Sequence, residues 1–533
     1  MKRYISIFSK LLLASVLLTN TSCQKTLEEK FLDPDGFTQP TIQGFMTDGL
    51  QRLGTFRTDY GAFYHTFPVF NRMLGSGGFS NDGVTNTFSW GHNPFESSFD
   101  RMRSLNELDI RYDALSEQDK QSYLPYKIVS DVVKSCIFYR LTETHNSIPY
   151  SEALNGKGNM FFPKFDKQEE VYSSILGKLE DAYNKLSTYT LGTSLPEKDF
   201  PSFDILLKGD INKWKVLINS LRLRIAMRHT NTNPQLAKTV IQKVLSTSVY
   251  ANSAENSILY TDKTPERALE YLINRAMQEQ RSSFFAPEEM LKLLKIDKDH
   301  TDPRLYVLFQ PDRYDNYSAI RKEGPFPKNY TDSITTTDLT KTFPSLYNRT
   351  TFEQNTLLPT QIITSTEVKL ILSEAALRWP ELNLNSTNLF KEAVKESIDK
   401  YYAINKANVT AYTAKMASSQ PAAPAPQTIT DYVNYIGNKF SQASDLEKKG
   451  MIYDQKYIDF NVVNPFDLWS ETRRLIKELN TRVIKKSSNI RFMERTLYPT
   501  SESTNNSQNF IEVAKENNYT TPVWFSGRTE AYK

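Results

Sequence analysis

Apolar residues recur at helical spacing through most of this sequence, and this pattern constrains the fold more than any other feature. Between Gln168 and Leu186 they follow at spacings of four, four, three and four, at positions Val171, Ile175, Leu179, Ala182 and Leu186. Such a stripe forms one face of an α-helix and must be buried against another element. Similar stripes occur near 97–110, 120–142, 210–230, 234–247, 365–379, 387–403 and 444–460.

Helices of this length with short connections pack as antiparallel pairs. The sequence therefore predicts a mainly α fold. No 34-residue repeat is sustained, so the periodicity alone does not identify a class of helical repeat. At 533 residues, length alone would allow about three domains.

Two segments depart from the helical pattern. Residues 249–360 are rich in Asp, Asn, Thr, Tyr and Pro, and they predict an irregular, loop-rich region with minor β structure. Within it, Tyr306–Phe309 is strand-like, because aromatic and β-branched residues favour strands. Residues 417–428 are rich in Ala and Pro and predict an exposed loop.

The N-terminus predicts export and lipidation. Lys2 and Arg3 precede a short apolar run that ends at Leu18, which is the pattern of a secretory signal peptide. The run is too short for a membrane-spanning helix. Thr21-Ser22-Cys23 resembles the site at which a lipoprotein signal peptide is cut, so residues 1–22 are predicted as the signal peptide, Cys23 as the lipidated residue and 23–44 as a tether. The alternative is an ordinary cleavage site beside an uninvolved cysteine.

Charge and composition exclude several classes of protein. The chain has 65 basic and 61 acidic residues without a basic block, so nothing supports nucleic-acid binding. The second cysteine, Cys136, lies in an apolar helical stretch and is predicted to be buried rather than reactive. The five histidines show no metal-ligand spacing, and no metal site or cofactor is predicted. Nucleophile and phosphate-loop motifs are missing too, so the chain is not predicted to be an enzyme.

Residues 208–230 carry the most specific motif, KGDINKWKVLINSLRLRIAMRHT. This segment resembles the signature of SusD/RagB-like nutrient-binding outer-membrane lipoproteins, in the SusD-like subgroup. Further matches follow in the order expected for that family. They are Ile148–Ala153, Pro163–Tyr172, Glu367–Arg378, Gln455–Tyr457, Trp469–Arg474 and Arg495–Glu502.

The resemblance implies that residues 45–533 form a single domain, in which four tetratricopeptide-like helix pairs support a loop-rich region. It implies a non-catalytic protein at the outer membrane, exposed on the cell surface, that captures a nutrient such as an oligosaccharide or a peptide. It also implies a partner, a SusC-like TonB-dependent transporter, to which the nutrient is delivered.

Loops carried on a rigid scaffold are where ligand contacts are expected. The segment 60–95 combines aromatic residues with glycines, and aromatic faces beside amides suit sugar recognition. The predicted ligand contacts are Tyr60, Tyr64, Phe70, Phe79 and Trp90. A role for these rings in a small core or in the transporter contact is an equally good interpretation.

Residues in the helical motifs are predicted to be structural. Trp214 lies on the apolar stripe of its helix and is assigned to core packing rather than ligand stacking. The arginines of the two Arg-rich motifs are expected to anchor helices and loop carbonyls; they are Arg222, Arg224, Arg228, Arg473 and Arg474. Two other functions remain open, an envelope interaction scaffold without a nutrient ligand and a surface glycosidase, whose paired carboxylates would not be visible in sequence spacing.

Overall fold

The structure is a computed structural model. It describes residues 41–57, 67–73, 94–260, 274, 276–277, 279, 284–297, 299–312, 315–319, 345–355, 357–411, 420–480 and 492–531. Cys23 and the signal peptide lie outside these ranges.

Eighteen α-helices have both of their ends within the described ranges. They are α1 (Ile42–Arg57), α2 (Phe67–Phe70), α3 (Pro94–Arg101), α4 (Arg103–Asp113), α5 (Glu117–His145), α6 (Gln168–Ser187), α7 (Leu195–Phe203), α8 (Ile211–Arg228), α9 (Pro234–Thr247), α10 (Glu288–Leu294), α11 (Arg304–Leu308), α12 (Ser365–Arg378), α13 (Ser386–Ala411), α14 (Pro426–Gln442), α15 (Asp445–Phe460), α16 (Pro465–Leu479), α17 (Thr500–Asn505) and α18 (Ser507–Val513). None of these helices is long and apolar enough to cross a membrane.

Four helix pairs form the scaffold, and the predicted mainly α fold is confirmed. The pairs are α5 with α6, α8 with α9, α12 with α13, and α15 with α16; α6 contacts α8, α8 contacts α12, and α12 contacts α15. The apolar stripe of α6 is buried along its whole length, as its spacing predicts. The chain therefore builds a row of four consecutive helix pairs.

Two short antiparallel sheets accompany the helices. β1 (Ile148–Pro149) pairs with β2 (Phe165–Asp166), and β3 (Ile258–Tyr260) pairs with β4 (Thr360–Ile363). The strand prediction for Tyr306–Phe309 is wrong. Residues up to Leu308 belong to α11, and only Phe309 makes an isolated bridge, to Tyr347.

The turn before α8 shows why this part of the sequence folds as it does. The buried carboxylate of Asp204 accepts hydrogen bonds from the backbone N–H of Leu207 at 2.9 Å, from that of Gly209 at 2.9 Å, and from the indole Nε1–H of Trp214 at 2.8 Å. Gly209 has a φ of +77°, which glycine adopts without strain. Asp210 then caps α8 by accepting from the backbone N–H of Lys213 at 3.0 Å.

A buried ionic network joins all four helix pairs. Glu143 of α5 accepts from Arg228 of α8 at 2.7 Å, and Arg228 also contacts Glu471 of α16. Arg474 of α16 bonds Glu471 and, through both Nη atoms at 2.7 Å, Glu374 of α12. The neighbouring cations outweigh burial and hold the pKa values of Glu374 and Glu471 far below the usual range. These carboxylates are therefore ionised inside the protein.

Two predicted segment boundaries differ from the structure. The predicted tether 23–44 overlaps α1, because Ile42 is already helical and buried, and Thr41 accepts the backbone N–H of Gly44 at 3.1 Å. The predicted loop 417–428 overlaps α14, because Pro426 occupies the first turn of that helix, where its missing N–H costs nothing.

Candidate functional site

The predicted ligand contacts fall on a part of the chain that the structure does not describe. Tyr60, Tyr64, Phe79 and Trp90 lie outside the described residues. Phe70 ends α2, but its side chain lies outside the description as well. These five residues stay predictions, and the candidate site below is built from other residues.

Tyr306 is an exposed aromatic residue on the loop-rich part of the molecule, with 44% of its surface accessible. Its ring meets the half-buried ring of Tyr317 edge-on, with centroids 5.5 Å apart and an interplanar angle of 77°. The T-shaped contact is a favourable arrangement of aromatic rings and fixes the two side chains relative to each other. We call Tyr306, Tyr317 and the supporting residues Lys295, Asp312 and Asn316 the Tyr306 surface.

The loop that carries Tyr317 is held by one carboxylate. Asp312 accepts from the backbone N–H of Asn316 at 3.0 Å and from the hydroxyl of Ser318 at 2.6 Å, and its own backbone N–H donates to the carbonyl of Asn316 at 2.7 Å. Lys295 donates from Nζ to the carbonyl of Tyr317 at 3.2 Å. These bonds orient Tyr317, while Asn316 remains exposed beside it.

Buried polar residues hold the short helix that carries Tyr306. The guanidinium of Arg304 is fully buried, and its Nη2 donates to Asp302 and to Gln455, both at 2.6 Å. Its Nη1 donates to the hydroxyl of Ser397 at 2.9 Å, and Tyr432 donates to Asp302 at 2.7 Å. The five residues of α11 are thus tied to α13, α14 and α15.

The phenol of Tyr317 stays uncharged at neutral pH. Burial, with a smaller contribution from Tyr306, raises the pKa of Tyr317 to about 12. A neutral phenol both donates and accepts hydrogen bonds. The Tyr306 surface therefore offers ring faces together with the neutral hydroxyl of Tyr317 and the exposed residue Asn316.

A second ring stack lies between helix α14 and the loop that joins α10 to α11. His300 and Tyr435 stack with centroids 3.5 Å apart and an interplanar angle of 5°. Asp297 accepts from the Tyr435 hydroxyl at 2.8 Å and lies 2.8 Å from His300 Nδ1. The hydrogen bond from Tyr435, followed by that from His300, holds the pKa of Asp297 well below its usual value. Because the two rings stack face to face, no ligand can enter between them.

The arrangement suits binding rather than chemistry. Exposed rings beside amide and hydroxyl groups stack against flat, partly apolar ligand faces and hydrogen-bond their polar edges. Within the part of the chain that the structure describes, no group of three or more His, Cys, Asp or Glu side chains is placed to hold a metal ion.

Sequence reasoning missed both rings of the Tyr306 surface. Tyr306 was assigned to a strand, and Tyr317 was not distinguished from the other tyrosines. The only signal was the aromatic content of 12%, which does not separate exposed rings from buried ones.

The residues of the recognised motifs lie inside the scaffold, as predicted. Trp214 is buried, and Arg224 donates to Glu367 at 2.6 Å and to the carbonyl of Ile362 at 2.9 Å. Arg473 donates to the carbonyls of Glu143 at 2.5 Å and Glu494 at 2.9 Å. Cys136 is also buried.

Comparison with solved structures shows the same fold. A SusD homologue from Bacteroides fragilis matches with a TM-score of 0.68 at 17% identity, over 90% of this chain and 99% of that one. A chitin-binding protein matches with a TM-score of 0.68 at 20% identity, over 91% and 100% of the two chains. A chitin-binding SusD homologue from Flavobacterium johnsoniae matches with a TM-score of 0.63 at 17% identity, over 90% and 98%.

No curated protein is significantly similar to the chain in sequence. Residues 73–499 match a family described as SusD-like, starch-binding and associating with the outer membrane. Proteins of this family bind their ligands without catalysing a reaction. The match covers most of the sequence, and the row of helix pairs agrees with the fold of the solved SusD homologues. The chain therefore belongs to the SusD-like family of outer-membrane-associated glycan-binding proteins.

Proposed function

We propose that this protein captures a glycan on the Tyr306 surface and delivers it to a SusC-like TonB-dependent transporter at the cell surface. The observation that carries the proposal is the paired placement of Tyr306 and Tyr317, an exposed ring fixed against a second ring on the loop-rich region. Family membership supports a glycan as the ligand.

The chemistry of the surface favours a neutral sugar. Sugar rings have apolar faces that stack on aromatic rings and hydroxyl groups that bond to amides and phenols. Tyr306 and Tyr317 supply the ring and phenol groups, and exposed Asn316 lies on the loop between them. The relatives named as chitin-binding make chito-oligosaccharides the first ligands to test, together with malto-oligosaccharides.

Isothermal titration of residues 24–533 against both series of oligosaccharides tests ligand capture. Tyr306→Ala removes the exposed ring and is expected to weaken binding about 5- to 30-fold, the effect of losing a contact worth about 1–2 kcal/mol.

Phe161→Ala is the matched control, since Phe161 is an exposed aromatic residue outside the Tyr306 surface. It is expected to bind as the unsubstituted protein does. Equal binding by Tyr306→Ala and the unsubstituted protein, or equal losses in both variants, contradicts the assignment of the ligand to this surface.

The lipid anchor at Cys23 is the second part of the proposal. Several acyl chains hold a protein firmly at a membrane, whereas a chain without them is released. Cys23→Ala is expected to move the protein from the outer-membrane fraction to the soluble fraction, which immunoblotting of the fractions detects. Unchanged fractionation contradicts lipidation at Cys23.

The transporter is tested by affinity purification of the anchored protein from detergent-solubilised envelopes. Recovery of a TonB-dependent barrel in near-equal amounts supports delivery. Purification of the protein free of any such barrel favours the alternative of a scaffold without a transport partner.

The rings of Tyr60, Tyr64, Phe70, Phe79 and Trp90 are a further proposed contact set for the same ligand. The sequence feature that supports this proposal is the presence of aromatic residues beside glycines in the segment 60–95. Trp90→Ala is expected to weaken oligosaccharide binding in the same titration. If Trp90→Ala and Tyr64→Ala both bind with unchanged affinity, these rings do not contact the ligand and a structural role is favoured.

A further inference from the structure

Two adjacent phenylalanines are exposed on the loop that joins β1 to β2. Phe161 and Phe162 are 66% and 61% exposed, and within the part of the chain that the structure describes they are the only exposed phenylalanines. Single apolar residues at a surface are common, whereas neighbouring large rings left in water mark a surface that another apolar phase covers. We call residues 154–164 the Phe161 loop.

The backbone of the Phe161 loop is fixed although its two rings are not covered. Asn509 of α18 donates to the carbonyl of Phe162 at 2.8 Å, and Asn506, just before that helix, donates to the carbonyl of Pro163 at 2.9 Å. The rings are therefore carried by an ordered loop, and covering them costs little further backbone entropy.

A row of side chains connects this loop with the start of α1. Glu107 of α4 accepts from Nζ of Lys157 in the loop at 2.5 Å and from Nε of Arg111 at 3.1 Å. The guanidinium of Arg111 lies 5.2 Å from the ring centroid of Phe45, in the first turn of α1. The Phe161 loop and the N-terminal end of the described chain therefore lie on the same side of the molecule.

The sequence ahead of α1 is short enough to keep this side of the protein near the anchor. Seventeen residues separate Cys23 from Thr41, and they span about 60 Å at most when fully extended. A lipid on Cys23, as proposed above, therefore keeps the Phe161 loop within reach of the membrane. Tethering of this kind makes a second, weak contact effectively intramolecular.

The charged side chains beside the rings suit a lipid surface. Lys157 and Lys164 have side chains that are 66% and 55% exposed. Phenylalanine rings enter the boundary between headgroups and acyl chains, and lysines attract anionic headgroups. The ion pairs of these lysines with Glu107 and Asp166 are open to solvent on the lysine side, so headgroup phosphates can compete for them.

We propose that the Phe161 loop docks on the surface of the membrane that carries the lipid on Cys23, with both phenyl rings in the interfacial region. The inference rests on the proposed lipid anchor and adds a second, noncovalent attachment to it. This attachment sets how the anchored protein lies on the membrane. Neither ring belongs to the Tyr306 surface, so oligosaccharide binding in solution does not depend on the contact.

Fluorescence quenching on vesicles tests the depth of the loop. Residues 24–533 are bound through a histidine tag, placed ahead of residue 24, to vesicles of phosphatidylcholine and phosphatidylglycerol that contain a nickel-chelating lipid. Phe161→Cys and the control Leu446→Cys, at a leucine 53% exposed on α15, each supply one accessible thiol for a dye, because Cys136 is buried. With a lipid spin-labelled near its headgroup, the dye at position 161 is expected to lose most of its emission and the dye at position 446 little.

An unquenched dye at position 161 overturns the proposal, and so does equal quenching at the two positions. The histidine tag makes this measurement independent of lipidation. Unchanged fractionation of Cys23→Ala would therefore contradict the anchor alone, and an unquenched loop would contradict the docking alone.

The double substitution Phe161→Ser with Phe162→Ser tests the rings themselves. Flotation of the same tagged chain on these vesicles, at low content of the nickel-chelating lipid, is expected to show binding weakened about tenfold or more, because the apolar area that the rings bury is lost. Leu446→Ser is the matched control and is expected to bind as the unsubstituted chain does. Equal binding by the double variant and the control overturns the proposal, and circular dichroism checks that both are folded.

Discussion

At the scale of single residues, buried charged side chains determine the position of the exposed Tyr306 ring. Arg304 is fully buried and bonds Asp302, Gln455 and Ser397, and the helix that it anchors carries Tyr306. Loss of one partner from such a cluster leaves an uncompensated buried charge, which costs more than the pair contributes. The candidate site therefore depends on residues that no ligand would touch.

Two buried histidines predict how stability changes with pH. Burial lowers the pKa of His145 to about 3 and that of His229 to about 4, whereas an unfolded histidine takes up a proton near pH 6.5. Below that pH the unfolded chain binds more protons than the folded one, so the free energy of unfolding falls as the pH is lowered. Each histidine is expected to remove roughly 3 kcal/mol between pH 6.5 and 4, measured by urea unfolding.

His229→Phe separates this effect from that of the acidic residues. The variant is expected to show a flatter decline in stability between pH 6.5 and 4.5. The pKa values of Glu374 and Glu471 are lowered in the folded protein. These residues therefore lose their contribution to the free energy of unfolding only when the pH falls below the pKa near 4.3 that they have in the unfolded chain. An identical pH profile in His229→Phe and the unsubstituted protein contradicts the assignment.

At the scale of elements, local periodicity was a good guide where a helix is long and a poor one where it is short. The 168–186 and 234–247 stripes predicted α6 and α9 to within a residue. The five residues of α11 could not be predicted, because Tyr306-Val-Leu-Phe309 has strand-forming side chains. Asp302 accepts the backbone N–H of Arg304, the first residue of this helix, at 2.9 Å, and distant helices hold the helix through the Arg304 guanidinium.

The candidate site was missed for a related reason. Tyr306 and Tyr317 are two of 29 tyrosines, and whether a tyrosine is exposed depends on which elements pack around it. The motif residue Trp214 was assigned correctly to the core because an apolar helical stripe is a local property of the sequence.

The turn before α8 gives a prediction for one element. In Gly209→Ala the new Cβ would lie 2.7 Å from Pro201 Cγ and 2.9 Å from Pro201 Cα, and the φ of +77° is unfavourable for alanine. We expect a loss of about 2 kcal/mol or more in the free energy of unfolding, measured by urea denaturation.

Gly177→Ala is the control for this substitution. Gly177 lies within α6, and a Cβ there meets nothing within 4 Å. Alanine is expected to stabilise this helix by about 0.5–1 kcal/mol. A neutral or stabilising effect of Gly209→Ala, like the one expected for Gly177→Ala, would show that neither the φ nor Pro201 constrains Gly209.

At the scale of the whole molecule, the ionic network makes the four helix pairs depend on one another. Arg474 bonds carboxylates on α12 and α16 and has no exposed surface in its side chain. Arg474→Met removes this cation and leaves Glu374 and Glu471 short of a partner. We expect a loss of about 3–5 kcal/mol, seen as a lower urea midpoint.

Arg103→Met serves as the comparison, since Arg103 is 79% exposed and, among the residues that the structure describes, forms an ion pair with Asp100 at 3.1 Å. Exposed ion pairs contribute about 1 kcal/mol or less. A loss in Arg474→Met no larger than that in Arg103→Met would mean that the network does not hold the pairs together.

The clamped five-residue helix beneath Tyr306 has a thermodynamic consequence for any ligand that stacks there. Arg304 already fixes α11 through its buried hydrogen bonds, and the Tyr317 ring fixes the Tyr306 side chain. The protein therefore loses little conformational entropy when a ligand binds. The entropy cost of binding then comes mainly from the ligand, so short, rigid ligands are expected to bind more tightly than flexible ones with the same groups.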